Sequence, residues 1–105
     1  MIYEVIISSQ AEEDLREIFE YIAFELESPQ NAVGQLERLE KSILSLDTKP
    51  NRFRMYEREP WHSRGLRVLP VDNFVVLYIP NEALKTVTIV RVMYCGRDIE
   101  RWLQV

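Results

Sequence analysis

The chain holds a single cysteine, a single histidine and only three glycines. A lone Cys95 closes no intramolecular disulfide and completes no thiolate metal site, which excludes a disulfide-stapled scaffold and favours a reducing compartment. The lone His62 excludes His-pair metal motifs, and no glycine-rich phosphate loop or nucleophile elbow is present. The opening residues lack the basic region, longer apolar stretch and small-residue cleavage site of a secretion signal. No apolar run approaches the roughly 20 residues of a membrane span. The expectation is therefore a cytoplasmic protein with no membrane association. A total of 105 residues, 47% hydrophobic and 29% charged with five prolines, fits one globular domain over 1–105 and neither a disordered nor a collagenous chain. At this size about two-thirds of the unfolded surface is buried, enough for two helices on one small sheet and too little for a deep cofactor cavity. No cofactor is expected. Glu12, Glu13 and Glu17 fall on a solvated helix face, so no metal site is assigned to them.

Charge is partitioned along the chain. Residues 1–50 carry 4 basic and 11 acidic side chains, whereas residues 51–105 carry 9 basic and 6 acidic, and eight of those nine cations are arginine. The planar guanidinium fork suits bidentate phosphate contact better than the lysine point charge. The alternative is an arginine-decorated, solvated sheet.

Residues 2–7 form a short β-branched apolar run that reads as a buried strand. Ser9-Gln10-Ala11-Glu12 fits a capping box at the start of a helix. Ala11, Leu15, Ile18, Ile22 and Leu26 then recur at helical spacing, with Glu12, Glu13, Asp14, Glu17 and Glu20 assigned to the outer face. Ser28-Pro29 opens a second helix with the stripe Leu36, Leu39, Ile43 and Leu46, and Pro50 ends it, giving an antiparallel helical hairpin. Residues 51–64 show no clean period and read as a long loop. Three strands follow at 66–71, 74–79 and 86–94, joined by a tight turn at Asp72-Asn73 and a longer one at residues 80–83. The tail from Gly96 reads as a helical turn or a short strand. The expected fold is α+β, with an N-terminal strand and an antiparallel helical hairpin packed on a small antiparallel sheet in the order β-α-α-β-β-β.

Strand alternation places Arg67 and Arg91 within otherwise apolar strands. An unpaired buried guanidinium is costly, so each is expected to reach solvent at the open face or edge, or to meet a carboxylate. An arginine-bearing sheet face flanked by Tyr56, Trp61, Tyr78 and Tyr94 suits single-stranded RNA, through phosphate contact and base stacking. The competing reading makes Tyr78 and Trp61 core or rim residues.

The order of elements, together with Arg64-Gly65-Leu66-Arg67, Asn73-Phe74-Val75-Val76-Leu77-Tyr78, the strand 87–93 and Tyr94-Cys95-Gly96-Arg97-Asp98-Ile99, resembles the RelE/ParE toxin family over nearly the whole chain. The resemblance implies the toxin of a bacterial type II toxin–antitoxin (plasmid stabilisation) system, neutralised by a cognate antitoxin in a hetero-oligomer. Members of the family divide by mechanism. RelE-like members cut mRNA on the ribosome, and ParE-like members inhibit DNA gyrase without hydrolytic chemistry. The RelE-like branch typically has an arginine on the strand before the tyrosine, where this chain has only Val75, Val76 and Leu77, and the segment after Met93 resembles the ParE-like branch more closely. The expected function is therefore growth inhibition by binding an essential target, DNA gyrase. The alternatives are a ribosome-dependent, metal-independent mRNA endoribonuclease and a non-toxic interaction module. If RNA is cleaved, the candidates are Arg67 and Arg91 for phosphate charge, Arg97 on the leaving side, and Tyr94, or less favourably His62, for proton transfer. A tyrosine phenol is protonated near neutrality and so suits an acid better than a base. Arg64, Trp61, Tyr78, Asp98 and Trp102 are candidates for target or antitoxin contact.

Overall fold

The computed structural model describes residues 2–103. Four strands, β1 (Glu4–Ile7), β2 (Arg67–Val71), β3 (Phe74–Asn81) and β4 (Thr86–Tyr94), form one sheet in the order β1-β4-β3-β2. The meander β2-β3-β4 is antiparallel as expected, and β1 joins its far side parallel to β4. Helices α1 (Ser9–Glu20) and α2 (Pro29–Leu44) make the hairpin, and α3 (Ile99–Leu103) resolves the tail as helix.

Local chemistry sets the element ends. The cap of α1 is Ser8 and not Ser9: its Oγ accepts from the Ala11 N–H at 3.0 Å, so Ala11 occupies the third helical position and no Glu closes a capping box. Beyond Glu20 the chain widens into a π-helical turn, Tyr21–Glu25. The wider turn spoils the 3.6-residue period, so Ala23 is buried while Leu26, expected on the buried stripe, is exposed. Pro29 occupies the first turn of α2. Asp72 takes the positive φ that the tight β2–β3 turn requires. Its carboxylate accepts from Arg38 and Gln35 of α2, tying the turn to the hairpin.

The sheet has a core on each face. On one face the hairpin contributes Ala11, Leu15, Leu39 and Ile43 against Val76, Tyr78, Ile89 and Val92. On the other, Tyr56, Leu66 and Leu103 pack on Val68, Val75, Leu77 and Met93, with Trp61 and Ile99 alongside. The second face is thus covered by the loop and by α3, and is not the open platform expected from alternation. The reason is compositional: Val68, Val75, Leu77 and Met93 make that face apolar, and leaving it exposed costs about 25 cal/mol per Å². Among the described residues no helix is long and apolar enough to cross a membrane.

Candidate functional site

The central feature lies where β1 ends. Strand β1 pairs with β4 only as far as Ile7 opposite Ile89, leaving the rest of that edge without a strand. The start of α1 takes over. The Ser8 N–H donates to the Ile89 carbonyl, Ser8 Oγ donates to the Val90 carbonyl at 3.0 Å, and the Val92 N–H donates to Asp14 Oδ2 at 3.0 Å. A register shift at this point gives Arg91 the partner Leu77 and Ile89 the partner Tyr78, with Val90 as the extra residue. Such a bulge re-aims the side chains beyond it. Arg91 no longer continues the Val87, Ile89 face. It turns to the edge, where Nε and Nη2 donate to the two Asp14 oxygens at 2.7 and 2.9 Å and Nη1 donates to the Trp102 carbonyl at 2.8 Å.

Asp14 is thus not an outer-face acid. It is 8% exposed and holds a charged fork and a backbone amide at once. Its bonds, ahead of any other influence, raise the Arg91 guanidinium above its ordinary pKa against the opposing effect of burial. Three elements, α1, β4 and α3, meet at this guanidinium.

Arg67 is held differently. Its register partner is Tyr78, and its Nη1 donates to the Phe53 carbonyl at 2.6 Å and the Asn51 carbonyl at 3.1 Å. The Tyr78 hydroxyl donates to the neighbouring Pro50 carbonyl at 2.6 Å. Together they pin the short 3₁₀ turn Pro50–Arg52 to the sheet. Tyr78, a candidate for target or antitoxin contact, is fully buried, and burial pushes its phenol up to about 12. The registers pair Arg67 and Arg91 with residues that pack into opposite cores, so the two guanidiniums do not converge.

The other candidates are half-buried or exposed. The Arg64 guanidinium stacks over Trp61 at 4.9 Å and that of Arg97 over Trp102 at 4.4 Å. Trp61, Trp102 and Arg91, with Ser8, Gln10 and Val90, line a shallow cleft of about 490 Å³. Tyr94 is half exposed and meets Phe74 edge to face, with centroids 5.9 Å apart. His62 is exposed, its Nδ1 3.9 Å from a Glu59 oxygen. Asp98 is exposed, and its carbonyl accepts from the Trp102 N–H in α3. Arg58, in a loop without periodicity and so without a sequence signal for its role, has Nη1 bridging both Glu100 oxygens at 3.0 and 3.1 Å, which links the loop to α3. Among the described residues no three His, Cys, Asp or Glu side chains gather to hold a metal ion.

A helical hairpin on one face of this four-stranded sheet is the architecture of RelE/ParE-like toxins. Within that class, the family model of the ParE toxin of type II toxin–antitoxin systems (parDE) matches residues 5–99, and the chain belongs to that family. No curated protein matches the sequence. Among solved structures, the chromosomal ParDE toxin–antitoxin system from P. aeruginosa is similar at TM-score 0.72 and 19% identity, covering 89% of this chain and 96% of that one. The toxin–antitoxin complex RelBE2 from Mycobacterium tuberculosis gives TM-score 0.63 at 21% identity, with 90% and 99% covered. A mutant of the E. coli toxin RelE in the free state gives 0.64 at 13%, with 91% and 86% covered. At these identities the likeness is one of fold.

Proposed function

We propose that this chain, as one toxin domain over residues 1–105, arrests growth by binding DNA gyrase and is held inactive by a cognate antitoxin. The observation that carries the binding reading over a nucleolytic one is the engagement of the two central arginines. Cleavage of RNA by its own 2′-hydroxyl needs cations converging on one phosphate and a base and acid beside it. Here Arg91 donates to Asp14 and the Trp102 carbonyl, and Arg67 to two loop carbonyls. Family membership in the ParE branch supports the same reading. The exposed arginines stacked on Trp61 and Trp102 are suited to an acidic partner surface, and similarity to structures of toxin–antitoxin complexes supports an antitoxin as that partner.

The test is induced expression of the chain alone in a bacterial host, with mRNA 5′ ends mapped within minutes. Growth arrest with intact messages and DNA-damage signalling is the expected outcome. New message ends at in-frame codon positions, absent when translation is blocked, replace this reading with the ribosome-dependent nuclease. Unimpaired growth replaces it with a non-toxic interaction module.

A further inference from the structure

The far end of the helical hairpin presents a surface that neither the sheet nor the arginine-bearing side uses. Phe24 is 70% exposed and Tyr21 57%, with Leu26 and Val33 also open to solvent. Tyr21 and Phe24 both belong to the π-helical turn that joins the two helices, so the exposed rings stand at the same end of the hairpin. Isolated exposed apolar residues are ordinary, but two exposed aromatics and an exposed leucine within six residues concentrate apolar surface at this end of the hairpin.

The surroundings of the patch carry one sign of charge. From Glu17 to Glu37 the chain has five carboxylates and no lysine or arginine. The flanking cations are both engaged elsewhere, Arg16 with Glu13 and Arg38 with Asp72. Glu17 lies four residues before Tyr21, and Glu20 four before Phe24, so each aromatic has a carboxylate beside it on the helix surface. The hairpin end is thus an apolar patch with an acidic rim, opposite in sign to the arginines stacked on Trp61 and Trp102.

We infer that the hairpin end around Tyr21 and Phe24 is a docking surface for a cationic amphipathic helix of a partner protein. An apolar stripe on such a helix covers the two rings and Leu26, and lysine or arginine flanking the stripe meets Glu17, Glu20, Glu25 and Glu27. Charge complementarity selects this occupant over a symmetric dimer of the chain, in which two copies meeting through the same patch oppose acid to acid. The surface is distinct in place and sign from that assigned above to an acidic partner, and the inference does not depend on the target of the toxin.

The experiment titrates the purified full-length chain into two fluorescently labelled synthetic helical peptides with the same leucine stripe, one flanked by lysine and one by glutamate, and reads anisotropy. Binding of the lysine peptide is expected, weakening at least tenfold in the double variant Tyr21→Ala, Phe24→Ala and falling steeply from low to physiological salt. Both side chains are exposed, so the variant is expected to fold, and circular dichroism checks it. A second variant, Glu17→Gln with Glu20→Gln, is expected to weaken binding and flatten the salt dependence while leaving the rings in place. Equal binding of both peptides, binding of the lysine peptide unaltered in either variant, or no binding overturns the inference. So does a concentration-dependent dimer, seen by sedimentation, that the Tyr21→Ala, Phe24→Ala variant abolishes.

Discussion

Asp14 on the first helix grips Arg91 on the fourth strand through two hydrogen bonds and caps the Val92 amide with the same carboxylate. The pair stands where β1 stops and α1 begins, so one ion pair closes a sheet edge and fixes the helix against it. Removing one partner of a largely desolvated pair leaves the other unpaired, which costs far more than the pair itself contributes. Asp14→Ala is therefore expected to destabilise the fold by about 3 kcal/mol, read from the urea midpoint. Arg91→Ala is expected to fall in the same range, with any loss of toxicity accompanied by lost stability. Unchanged midpoints in both variants contradict the assignment.

Arg67 holds a loop and not a second element. Arg67→Ala removes two hydrogen bonds from the guanidinium to the Asn51 and Phe53 carbonyls. The expected loss is about 1–2 kcal/mol, smaller than for Asp14 because those carbonyls lie near solvent. Hydrogen exchange should rise in residues 50–56 while β3 and β4 keep their protection. Accelerated exchange spread over the whole sheet counts against this local role.

Tyr78→Phe leaves the Pro50 carbonyl without its partner in the core and is expected to cost about 1–2 kcal/mol. It also has a signature at high pH. The folded-state phenol is pushed up to about 12, above its ordinary value near 10, chiefly by burial. A group raised on folding contributes fully below its unfolded pKa, and its contribution is lost as pH rises from about 10 through about 12. Stability of the parent protein should fall across that window, and Tyr78→Phe should fall less. Parallel alkaline profiles would argue against a titrating, buried Tyr78.

At the acid end the sign reverses. The Asp72 carboxyl is held below its ordinary range, first by the hydrogen bond from Arg38 and then by that from Gln35. Its contribution is present above the unfolded value of about 4 and is lost as pH falls through the lower folded value. The Glu82 carboxyl, lowered chiefly by the Tyr3 hydroxyl, acts in the same direction. Asp72→Asn should make the urea midpoint less sensitive to acidification, and acid profiles that coincide with the parent's would remove Asp72 from this account.

The hairpin, the meander and their order were legible because each rests on a local signal: Pro29 at a helix start, helical spacing in Leu39, Ile43 and Leu46, and turn chemistry at Asp72. Asp14 departs from the expected outer face although its spacing marks it. It lies three residues after Ala11 and four before Ile18, on the apolar stripe itself, and a lone acid there matches a lone arginine in an apolar strand. What no local pattern records is the register shift at Val90, because a bulge is set by the partner strand and by the helix that follows β1. The same holds for the covered second face. The loop over 51–64 lacks periodicity, yet Tyr56 and Trp61 pack there beside Leu103 from the far end of the chain.

The most direct test of the gyrase reading is a supercoiling assay with purified gyrase and the purified chain. The account predicts loss of supercoiling that rises with toxin concentration. The loss should persist in Tyr94→Phe and His62→Ala, because inhibition by binding requires no proton transfer. Normal supercoiling at concentrations of the chain that arrest growth would contradict it.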